Sequence, residues 1–282
     1  MPGTLFVVAT PIGNLEDITT RALRVLREVA LIAAEDTRRT AHLLSRYAIA
    51  TPTTSFHQHN EARKVAGLVQ RLQRGDSIAL VSDAGTPTIS DPGQRLIREA
   101  IDAGVRVEPI PGASAALAAL AVSGMSGGTF TFLGFPPIRS KDRKMWLDDL
   151  RSACRPVIFF EAPHRIRETL QQIHRAMGDR RVAVARELTK TYEELVRGPI
   201  SEVLTRLTEP RGELTIVIDI GQKTDIVQAK PPDGRKLLAE FSEMVAESAL
   251  PRRRAVNMLA KRYGLSPNHV YGAIEDARKL VE

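Results

Sequence analysis

The sequence predicts an α/β protein whose first 220 residues form two lobes, followed by an all-helical C-terminal region. Short apolar runs alternate with stretches of helical spacing, which is typical of βα units around a mostly parallel sheet. A run of small residues, Ser123–Gly128, interrupts this alternation, and only helical patterns follow a polar segment rich in Pro and Gly. We therefore expect an N-terminal lobe over 1–123, a second lobe over 124–220, a linker over 221–234 and a helical domain over 235–282.

The individual elements follow from hydrophobic periodicity. The strand candidates are short apolar runs: Leu5–Ala9, Ala30–Ala34, Ile78–Val81, Val105–Pro109, Thr129–Leu133, Pro156–Phe160, Arg181–Ala185 and Leu214–Ile220. The helix candidates have apolar residues three and four positions apart: Ile18–Glu28, Arg38–Arg46, Asn60–Gln73, Asp91–Ala103, Ala113–Val122, Lys141–Leu150, His164–Met177, Lys236–Ser248, Arg252–Lys261 and Pro267–Leu280.

Composition excludes several classes of protein. No apolar run approaches the roughly 20 residues of a membrane span, and the first ten residues lack the basic start of a signal peptide. The single cysteine, Cys154, excludes an internal disulfide framework and a zinc site built on cysteines. A reducing, cytoplasmic location is therefore expected.

The chain is basic, with a formal net charge of +7 and a pI of about 9.8. This balance favours a polyanionic partner, although a merely soluble basic protein would have the same composition. Aromatic residues make up only 5%, which argues against an extended platform for stacking bases.

The loop after the strand Ile78–Val81 is the most informative stretch of the chain. A simple strand-to-helix turn needs about two to six residues, whereas residues 82–93 form a longer segment with two Asp, two Gly and two Pro. Ligands of open α/β sheets bind outside the carboxyl ends of the strands. A rigid, polar loop at that position predicts a ligand site.

Three other segments have the same character. Residues 9–17 contain Pro11 and Gly13, which stiffen the turn and allow close backbone approach. Residues 109–116 open a helix with small residues, whose free N–H groups favour anionic or hydroxyl groups of a ligand. Glu213 precedes the last strand. Tight turns, a closely packed helix start and an exposed strand-end charge are the alternatives.

Familiar site motifs are missing. The sequence has no G-x-G-x-x-G fingerprint, no P-loop and no G-x-S-x-G elbow. Its six histidines include no H-E-x-x-H pattern, so metal ligation is not indicated.

The C-terminal region has the spacing of a helix-turn-helix. Gly264 is placed to end one helix and Ser266 to cap the next. The preceding Arg252–Arg254 favours RNA contact, but an ordinary helical hairpin packed on the main body has the same pattern.

Nine stretches in order resemble one family. They are LFVVATPIGNLEDITTRAL, AEDTRRTAHLL, SFHQHNEARK, ALVSDAGTPTISDPG, PIPGASAALAAL, GFPP, FFEAPHRI, ARELTKTYEE and RGELTIVI. Residues 1–220 resemble the tetrapyrrole methylase fold, and within that family the branch that methylates ribosomal RNA. The C-terminal helices resemble the helix-turn-helix appendage of that branch.

The resemblance implies two α/β lobes with S-adenosylmethionine bent into the cleft between them, and a homodimer. Cofactor contacts in this family are largely backbone groups and small side chains on strand-end loops. Carried over by motif, they fall at Pro11, Gly13, Asp83, Ala84, Gly85, Ile89, Ala113, Ser114, Phe135, Glu161, Ala162, Leu188, Glu213, Leu214 and Thr215.

The same resemblance implies that the substrate is a cytidine in the decoding centre of 16S ribosomal RNA, whose ribose 2′-OH attacks the methyl group in line. The candidates for accepting the proton are Lys190, Glu187, His57 and His59. Lys190 acts either as a base with a depressed pKa or as an ammonium that orients the hydroxyl or phosphate. A solvated ion pair with Glu193 or Glu194 and structural histidines are the alternatives.

Basic residues in three regions are candidates for contact with RNA phosphates. They are Arg38 and Arg39; Arg139, Lys141, Arg143 and Lys144; and Arg252, Arg253 and Arg254. For any one of them a solvated surface position is the simpler interpretation.

Two other functions remain open. A carbon methyltransferase of tetrapyrrole biosynthesis usually has G-x-G-P-G-D in its first loop, but here that loop is TPIGNLEDIT, with no Asp after Gly13. A non-enzymatic regulator would bind nucleic acid through the C-terminal helices and would not need the ligand loops.

Overall fold

The computed structural model describes residues 1–207, 212–221, 233–247, 251–263 and 265–279. It divides into two compact units, Met1–Asp219 and Ile220–Glu282. Most of the predicted linker, 221–234, lies outside the described residues. So do Ser248 and Leu280, where two helices were predicted to end, and Gly264.

The first sheet of the larger unit has five strands in the order β3-β2-β4-β1-β5, and every pair is parallel. The strands are β1 (Thr4–Val8), β2 (Leu31–Ala34), β3 (Thr53–Ser55), β4 (Ile78–Val81) and β5 (Arg106–Ile110). Because all strands run the same way, the loops after β1, β2, β4 and β5 emerge at one edge.

Helices cover both faces of this sheet. They are α1 (Thr20–Glu28), α2 (Thr37–Arg46), α3 (Glu61–Gln73), α4 (Gln94–Asp102) and α5 (Ala115–Ser123), with a short 3-10 helix at Leu15–Asp17. One apolar cluster includes Leu5, Phe56 and Leu96, and another includes Val8, Leu26 and Ile32. Strands buried on both faces by helices are typical of parallel sheets.

The second sheet has the order β6-β7-β10-β8-β9. Its strands are β6 (Thr131–Phe132), β7 (Val157–Glu161), β8 (Arg181–Arg186), β9 (Glu194–Pro199) and β10 (Leu214–Ile218), and its helices are α6 (Ser140–Ser152), α7 (Ile166–Met177) and α8 (Ile200–Arg206). Only β6 and β7 pair in parallel, while the other three pairs are antiparallel. The expectation of a mostly parallel sheet is therefore wrong here. The loop 187–193 is too short for the crossover that parallel strands need, so β8 and β9 form a hairpin.

The predicted strands and helices of the larger unit are present, with ends shifted by a few residues. Helix α4 begins at Gln94 rather than Asp91, because Gly93 before it has a φ of 123°. Helix α5 begins at Ala115, since the Ser114 side chain caps it by accepting from the Leu117 N–H. The strands β3 and β9 and the helix α8 were not predicted.

The smaller unit contains three helices, α9 (Gly234–Glu247), α10 (Arg252–Tyr263) and α11 (Pro267–Lys279). They enclose their own apolar core, which includes Leu237, Leu259 and Val270. The Ser266 side chain accepts from the His269 N–H at 3.2 Å, which confirms the predicted cap of α11. Across the described parts of the chain, no helix combines the length and apolar character needed to cross a membrane.

Candidate functional site

A cavity of about 460 Å³ lies within the larger unit, between the carboxyl edge of the first sheet and strand ends of the second. This volume is in the range of roughly 300–1,000 Å³ found for small-molecule sites. The residues that line it are Ile12, Glu35, Arg39, Asp83, Ala84, Gly85, Thr86, Ile89, Ser90, Asp91, Ser114, Ala115, Phe135, Phe160, Glu161, Ala162, Pro163, Ala185, Leu188, Gly212, Glu213, Leu214 and Thr215.

Two of the predicted ligand loops are joined to each other at the cavity. The Thr10 N–H donates to the Gly85 carbonyl at 2.9 Å, and the Gly85 N–H donates to the Thr10 carbonyl at 3.0 Å. The Thr10 hydroxyl also donates to the Ser82 carbonyl at 3.2 Å. These bonds hold the loop after β1 against the loop after β4, which gives the cavity a fixed backbone wall.

Unusual backbone conformations cluster around the cavity. Of the six non-glycine residues with positive φ in the described chain, Thr88 and Ser90 lie in the loop after β4, and Glu187 and Thr189 lie in the loop after β8. Each such residue costs on the order of 1–3 kcal/mol, and such residues concentrate at functional sites. The strain supports a ligand-binding role for both loops.

One wall of the cavity is acidic. It carries the carboxylates of Glu35, Asp83 and Asp91. Glu35 accepts from the Asp83 N–H at 3.2 Å, and Asp83 accepts from the Asp36 N–H at 2.9 Å. The guanidinium of Arg39 lies 3.6 Å from Asp83, so it compensates only part of this charge.

The shared wall perturbs two of these carboxyl groups. Burial, followed by the negative charge of Glu35, raises the pKa of Asp91 to about 6, against a hydrogen bond from Ser82 that lowers it. Burial also raises the pKa of Glu35 above its ordinary value. A cation in the cavity would relieve the repulsion between these groups.

The cavity also has an apolar side. Phe135 and Phe160 lie with ring centroids 5.3 Å apart, and the Phe135 side chain is half exposed at 55%. Ile12 and Ile89 are further apolar lining residues. This surface suits a planar or aliphatic group of a ligand.

Glu161 lines the cavity, but the negative charge of its carboxylate is balanced by arginines within the fold. Its fully buried carboxylate accepts from the Thr169 hydroxyl at 2.5 Å and pairs with Arg165 at 3.3 Å and Arg143 at 3.7 Å. Glu161 therefore fixes the end of β7 and leaves no free charge for a ligand.

The prediction that Arg143 contacts RNA needs correction. Its side chain is only 12% exposed and points inward to Glu161. The guanidinium also donates to Thr169 at 2.7 Å and to Gln172 at 2.9 Å. With its donors engaged inside the fold, Arg143 is not available to phosphates.

The ammonium group of Lys190 lies between two carboxylates. Its Nζ lies 3.0 Å from Glu187 Oε1 and 3.2 Å from Glu213 Oε2. Burial alone would lower the pKa of Lys190, but the hydrogen bonds and charges of Glu187 and Glu213 outweigh burial and raise it. The interpretation of Lys190 as a base with a depressed pKa is therefore corrected: the side chain holds its proton.

The alternative ion pairs of Lys190 with Glu193 or Glu194 are absent from the part of the chain that the structure describes, in which both of these glutamates have other partners. Glu193 accepts from the Thr189 N–H at 2.6 Å, and Glu194 pairs with Arg186 at 2.9 Å. Burial opposes ionisation of Glu187, but bonds from Glu213 and Lys190 lower its pKa. Lys190 and Glu187 are not among the described lining residues of the cavity. Both contact Glu213, which does line it.

Gly13 explains how the two halves of the larger unit meet beside Lys190. A Cβ on Gly13 would lie 2.5 Å from Lys190 Cγ and 2.8 Å from the Leu188 carbonyl oxygen. The neighbouring Asn14 N–H donates to Thr189 Oγ1 at 3.0 Å. Only glycine permits this close approach between the loop after β1 and the loop after β8.

The predicted cofactor residues divide into two groups. Pro11 and Gly13 lie in the loop after β1 and Ala113 in the loop after β5, outside the described cavity lining. The Ala113 carbonyl accepts from the Thr86 hydroxyl at 3.4 Å, so this residue supports the lining loop. The predicted residues that do line the cavity are Asp83, Ala84, Gly85, Ile89, Ser114, Phe135, Glu161, Ala162, Leu188, Glu213, Leu214 and Thr215.

The two candidate histidines lie outside the cavity lining. His59 is exposed in the loop before α3. His57 Nε2 lies 3.0 Å from Asn60 Nδ2, and the His57 and His59 rings are 5.9 Å apart. This geometry favours the structural alternative for His57, because its ring contacts neighbours in its own loop.

Sequence reasoning missed Glu35, Asp91 and Phe160 as lining residues. Glu35 directly follows β2 at the same sheet edge as the other loops, and this position was a usable signal. Asp91 is the second Asp of the loop 82–93. Phe160 faces the cavity from within a strand, where sequence alone does not distinguish a lining side chain from a core one.

The remaining candidates for RNA contact are exposed. The Arg38 side chain is 90% exposed, although it pairs with Asp36 at 2.7 Å. Arg139, Lys141 and Lys144 are exposed at the start of α6, and Arg252–Arg254 are exposed at the start of α10 in the smaller unit. Among the described residues, no group of three or more His, Cys, Asp or Glu is placed to hold a metal ion.

Comparison with known proteins identifies the family. The family model of the tetrapyrrole (corrin/porphyrin) methylases matches residues 4–204, which include both sheets except β10. The chain belongs to the tetrapyrrole methylase family. The lining residues of the cavity from Ile12 to Leu188 lie within the matched range of this methylase, and those at 212–215 follow it.

Two curated relatives are similar over most of their length. A protein of Haemophilus influenzae named ribosomal RNA small subunit methyltransferase I is 43% identical over 276 residues, covering 96% of both chains. A protein of the same name from Thermotoga maritima is 47% identical over 218 residues, covering 77% of this chain and 98% of that protein. The match to the latter is thus about as long as the larger unit of this methylase.

A solved structure has the same fold. The uroporphyrin-III C-methyltransferase of Thermus thermophilus complexed with S-adenyl homocysteine aligns with a TM-score of 0.56 at 18% identity, covering 77% of this chain and 98% of that one.

Proposed function

We propose that this methylase transfers the methyl group of S-adenosylmethionine to the ribose 2′-oxygen of a cytidine in the decoding centre of 16S ribosomal RNA, in the cytoplasm. The observation that carries the proposal is an acidic small-molecule cavity in a strongly basic chain. A cavity lined by carboxylates suits a cationic methyl donor, whereas a basic exterior suits a polyanionic acceptor. The printed names of the curated relatives support the choice of ribosomal RNA.

The lining residues fit the methyl donor. S-adenosylmethionine carries a sulfonium and an ammonium, and the carboxylates of Glu35, Asp83 and Asp91 would balance these positive charges. Phe135 and Ile89 offer apolar surface to the adenine. The fixed backbone at Gly85 would hold the donor close to the wall.

When bound, S-adenosylmethionine supplies an electrophilic methyl group, and the residues of this chain supply alignment and exclusion of water. The joined loops at Thr10 and Gly85 leave a rigid wall. Such alignment contributes up to about 7–11 kcal/mol to a two-reactant step in ideal cases. Lys190, which holds its proton, would orient a ribose oxygen or phosphate beside Glu213. As the new O–C bond forms, the C–S bond of the donor would break to leave a neutral thioether, and the proton of the attacking hydroxyl would pass to solvent.

The substrate side of the proposal relies on the exposed basic residues. Arg39 lines the cavity and is 62% exposed, so it is placed to contact a phosphate next to the reacting ribose. Arg139, Lys141 and Lys144 add three exposed cations at the start of α6. Each phosphate neutralised by such a side chain makes RNA binding more sensitive to salt.

Mapping of 2′-O-methyl marks tests the proposal. Ribosomal RNA from cells that lack this gene should have lost one mark at a decoding-centre cytidine, and the gene supplied in trans should restore it. Purified protein with radiolabelled donor should methylate the small subunit or its RNA from those cells. An unchanged methylation map would overturn the proposal.

The same assays separate the other two functions. Labelling of a tetrapyrrole instead of RNA would identify a carbon methyltransferase. RNA binding without calorimetric binding of S-adenosylmethionine would indicate a non-enzymatic regulator.

We also propose that the protein is a homodimer, as its family resemblance implies. Light scattering on the purified chain should give twice the monomer mass of 31.0 kDa. A monomer mass at the concentration of the methylation assay would exclude the dimer as the active form.

A further inference from the structure

A second groove lies in the smaller unit, separate from the residues of the cavity described above. It has a volume of about 530 Å³ and is formed by α9, α10 and α11. Its floor is apolar, with Phe241, Val256 and Ile274 each less than a tenth exposed. The floor of the groove is therefore part of the packed core of the smaller unit.

The rim of the groove is basic. Arg252 and Arg253 lie on one side and Arg278 on the other. Arg278 approaches Glu275 only at 3.8 Å. Within the part of the chain that the structure describes, no carboxylate pairs with Arg252 or Arg253. Among the described residues that line the groove, three arginines accompany one carboxylate, that of Glu275, and this excess of positive charge favours an anionic occupant.

An exposed aromatic ring stands among these cations. Tyr271 lines the groove with 59% of its surface exposed, so its ring is open to a ligand. The side-chain amides of Asn257 and Asn268 also line the groove, and an amide both donates and accepts hydrogen bonds. Cations, a free ring face and amides together match phosphates and an unpaired base.

We propose that this groove binds a single-stranded segment of the RNA substrate, with an unpaired base stacked on Tyr271 and its flanking phosphates held by Arg252 and Arg253. The partner is single-stranded RNA rather than a duplex, because the bases of a duplex are stacked inside it and offer no face to a side chain. The inference rests on the proposed function in taking RNA as the substrate.

Binding of a short fluorescent oligocytidylate to the full-length protein tests the groove. Tyr271→Ala should weaken binding at least about fivefold, the lower end of the effect of removing a stacking ring. Tyr271→Phe keeps the ring and should bind as the unmodified protein does. Neither substitution should change the affinity of the protein for a duplex of the same length.

The arginines are tested by salt dependence. Arg252→Ala with Arg253→Ala should reduce the slope of log affinity against log salt by about 1.4, since each phosphate contact to a single strand contributes about 0.7. The matched control is Arg235→Ala with Lys236→Ala, which removes two exposed cations of the same unit that do not line the groove.

Two results would overturn the inference. One is oligonucleotide binding that Tyr271→Ala leaves within twofold. The other is an equal effect of both double variants, which would indicate general attraction to a basic surface. Methylation of ribosomal RNA is measured separately. If the groove substitutions leave oligonucleotide binding unchanged while methylation is intact, only the inference about the groove is refuted. If the oligonucleotide binds in the groove but ribosomal RNA is not methylated, only the proposed reaction is refuted.

Discussion

At the scale of single residues, the site depends on how neighbouring charges set protonation. Lys190 is held between Glu187 and Glu213, and these carboxylates keep its proton in place against the opposing effect of burial. Asp91 has the opposite surroundings, because Glu35 and Asp83 add negative charge to a partly buried carboxyl.

Lys190→Ala should lower turnover about a hundredfold or more while binding of S-adenosylmethionine survives. The physical reason is that loss of an orienting group misplaces the reacting atoms, and misplacement by about 1 Å costs a factor of this size. Single-turnover methylation and calorimetry measure the two quantities. Lys190→Arg, which keeps a cation, should recover part of the rate. Near-normal methylation by the alanine variant would remove Lys190 from the mechanism.

Asp91→Asn should stabilise the protein without ligand above pH 6. The pKa of Asp91 is raised to about 6 in the folded chain from its ordinary value of 3.8, so the folded state binds more protons than the unfolded state between these pH values. Stability therefore falls as pH rises from about 4 to about 6, and the charged carboxylate remains a cost at higher pH. We expect a gain on the order of 1–2 kcal/mol, because one pKa unit corresponds to about 1.4 kcal/mol and solvent screens part of the shift.

Thermal unfolding at several pH values measures this effect. The difference between Asp91→Asn and the unmodified protein should vanish below about pH 4 and reach its full size above about pH 6. Asp102→Asn, which removes an exposed carboxylate at the end of α4, is the matched control for the loss of one negative charge. A constant difference at all pH values would indicate a cause other than titration of Asp91.

At the scale of elements, helix α6 presents basic residues on its exposed side and holds the second sheet with its buried side. Trp146 and Leu150 are its buried residues, and the Trp146 ring packs against Phe159 at 5.2 Å. Arg143 belongs to the inner side through Glu161. The charge cluster that looks continuous in sequence is therefore divided between two faces of one helix.

The substitution of Arg139, Lys141 and Lys144 by alanine should weaken RNA binding and flatten its salt dependence. If each cation contacts one phosphate of a single strand, the slope of log affinity against log salt should fall by about 2. Fluorescence anisotropy with small-subunit RNA over a salt series measures this. Unchanged affinity would place the RNA on another surface.

The control for this variant is the removal of three other exposed arginines. Arg24, Arg95 and Arg106 each pair with a glutamate on the surface of the larger unit. Their substitution by alanine removes three positive charges, as the substitution of Arg139, Lys141 and Lys144 does. Because exposed pairs contribute little to stability, this control should fold normally and bind RNA nearly as before.

At the scale of the whole molecule, the proposed methyl-donor cavity and the proposed RNA groove lie in different units. All of the cavity's lining residues among those that the structure describes lie between Ile12 and Thr215, and the larger unit extends to Asp219. The curated relative from Thermotoga maritima matches 77% of this chain over 98% of its own length. The larger unit is therefore expected to contain what binding of the methyl donor requires.

A chain ended after Asp219 should bind S-adenosylmethionine with unchanged affinity, within about twofold, because none of the lining residues is removed. Its affinity for small-subunit RNA should fall, since the exposed cations of the smaller unit are lost. Calorimetry with the donor and anisotropy with the RNA measure both. Loss of donor binding by a folded, truncated chain would contradict this division of roles.

Much of this organisation was accessible from the sequence. The parallel first sheet follows from the apolar runs at Leu5, Ile32 and Ile78, which are spaced by amphipathic helices. The loop 82–93 was predicted as a ligand site from its length and composition alone, and several of its residues line the cavity. Local patterns identify such features because hydrophobic periodicity and turn chemistry act over a few residues.

Other features depend on contacts between distant segments. The antiparallel second sheet was missed because strand direction is set by loop length and pairing partners, and β9 has a charged sequence that resembles a loop. The inward position of Arg143 depends on Glu161 and Thr169, which belong to another strand and helix. No local pattern reports these partners.

Most of the strands and helices, the strand-end loops and the family resemblance could be predicted from the sequence alone, since they depend on short-range patterns and ordered motifs. Only the tertiary structure decided which side chains share the cavity and what charge they carry there. Burial, together with the charge of Glu35 from another strand end, raises the pKa of Asp91, and Lys190 keeps its proton because Glu187 and Glu213 lie beside it. Burial and charge–charge interactions depend on distance through the fold, which sequence separation does not specify.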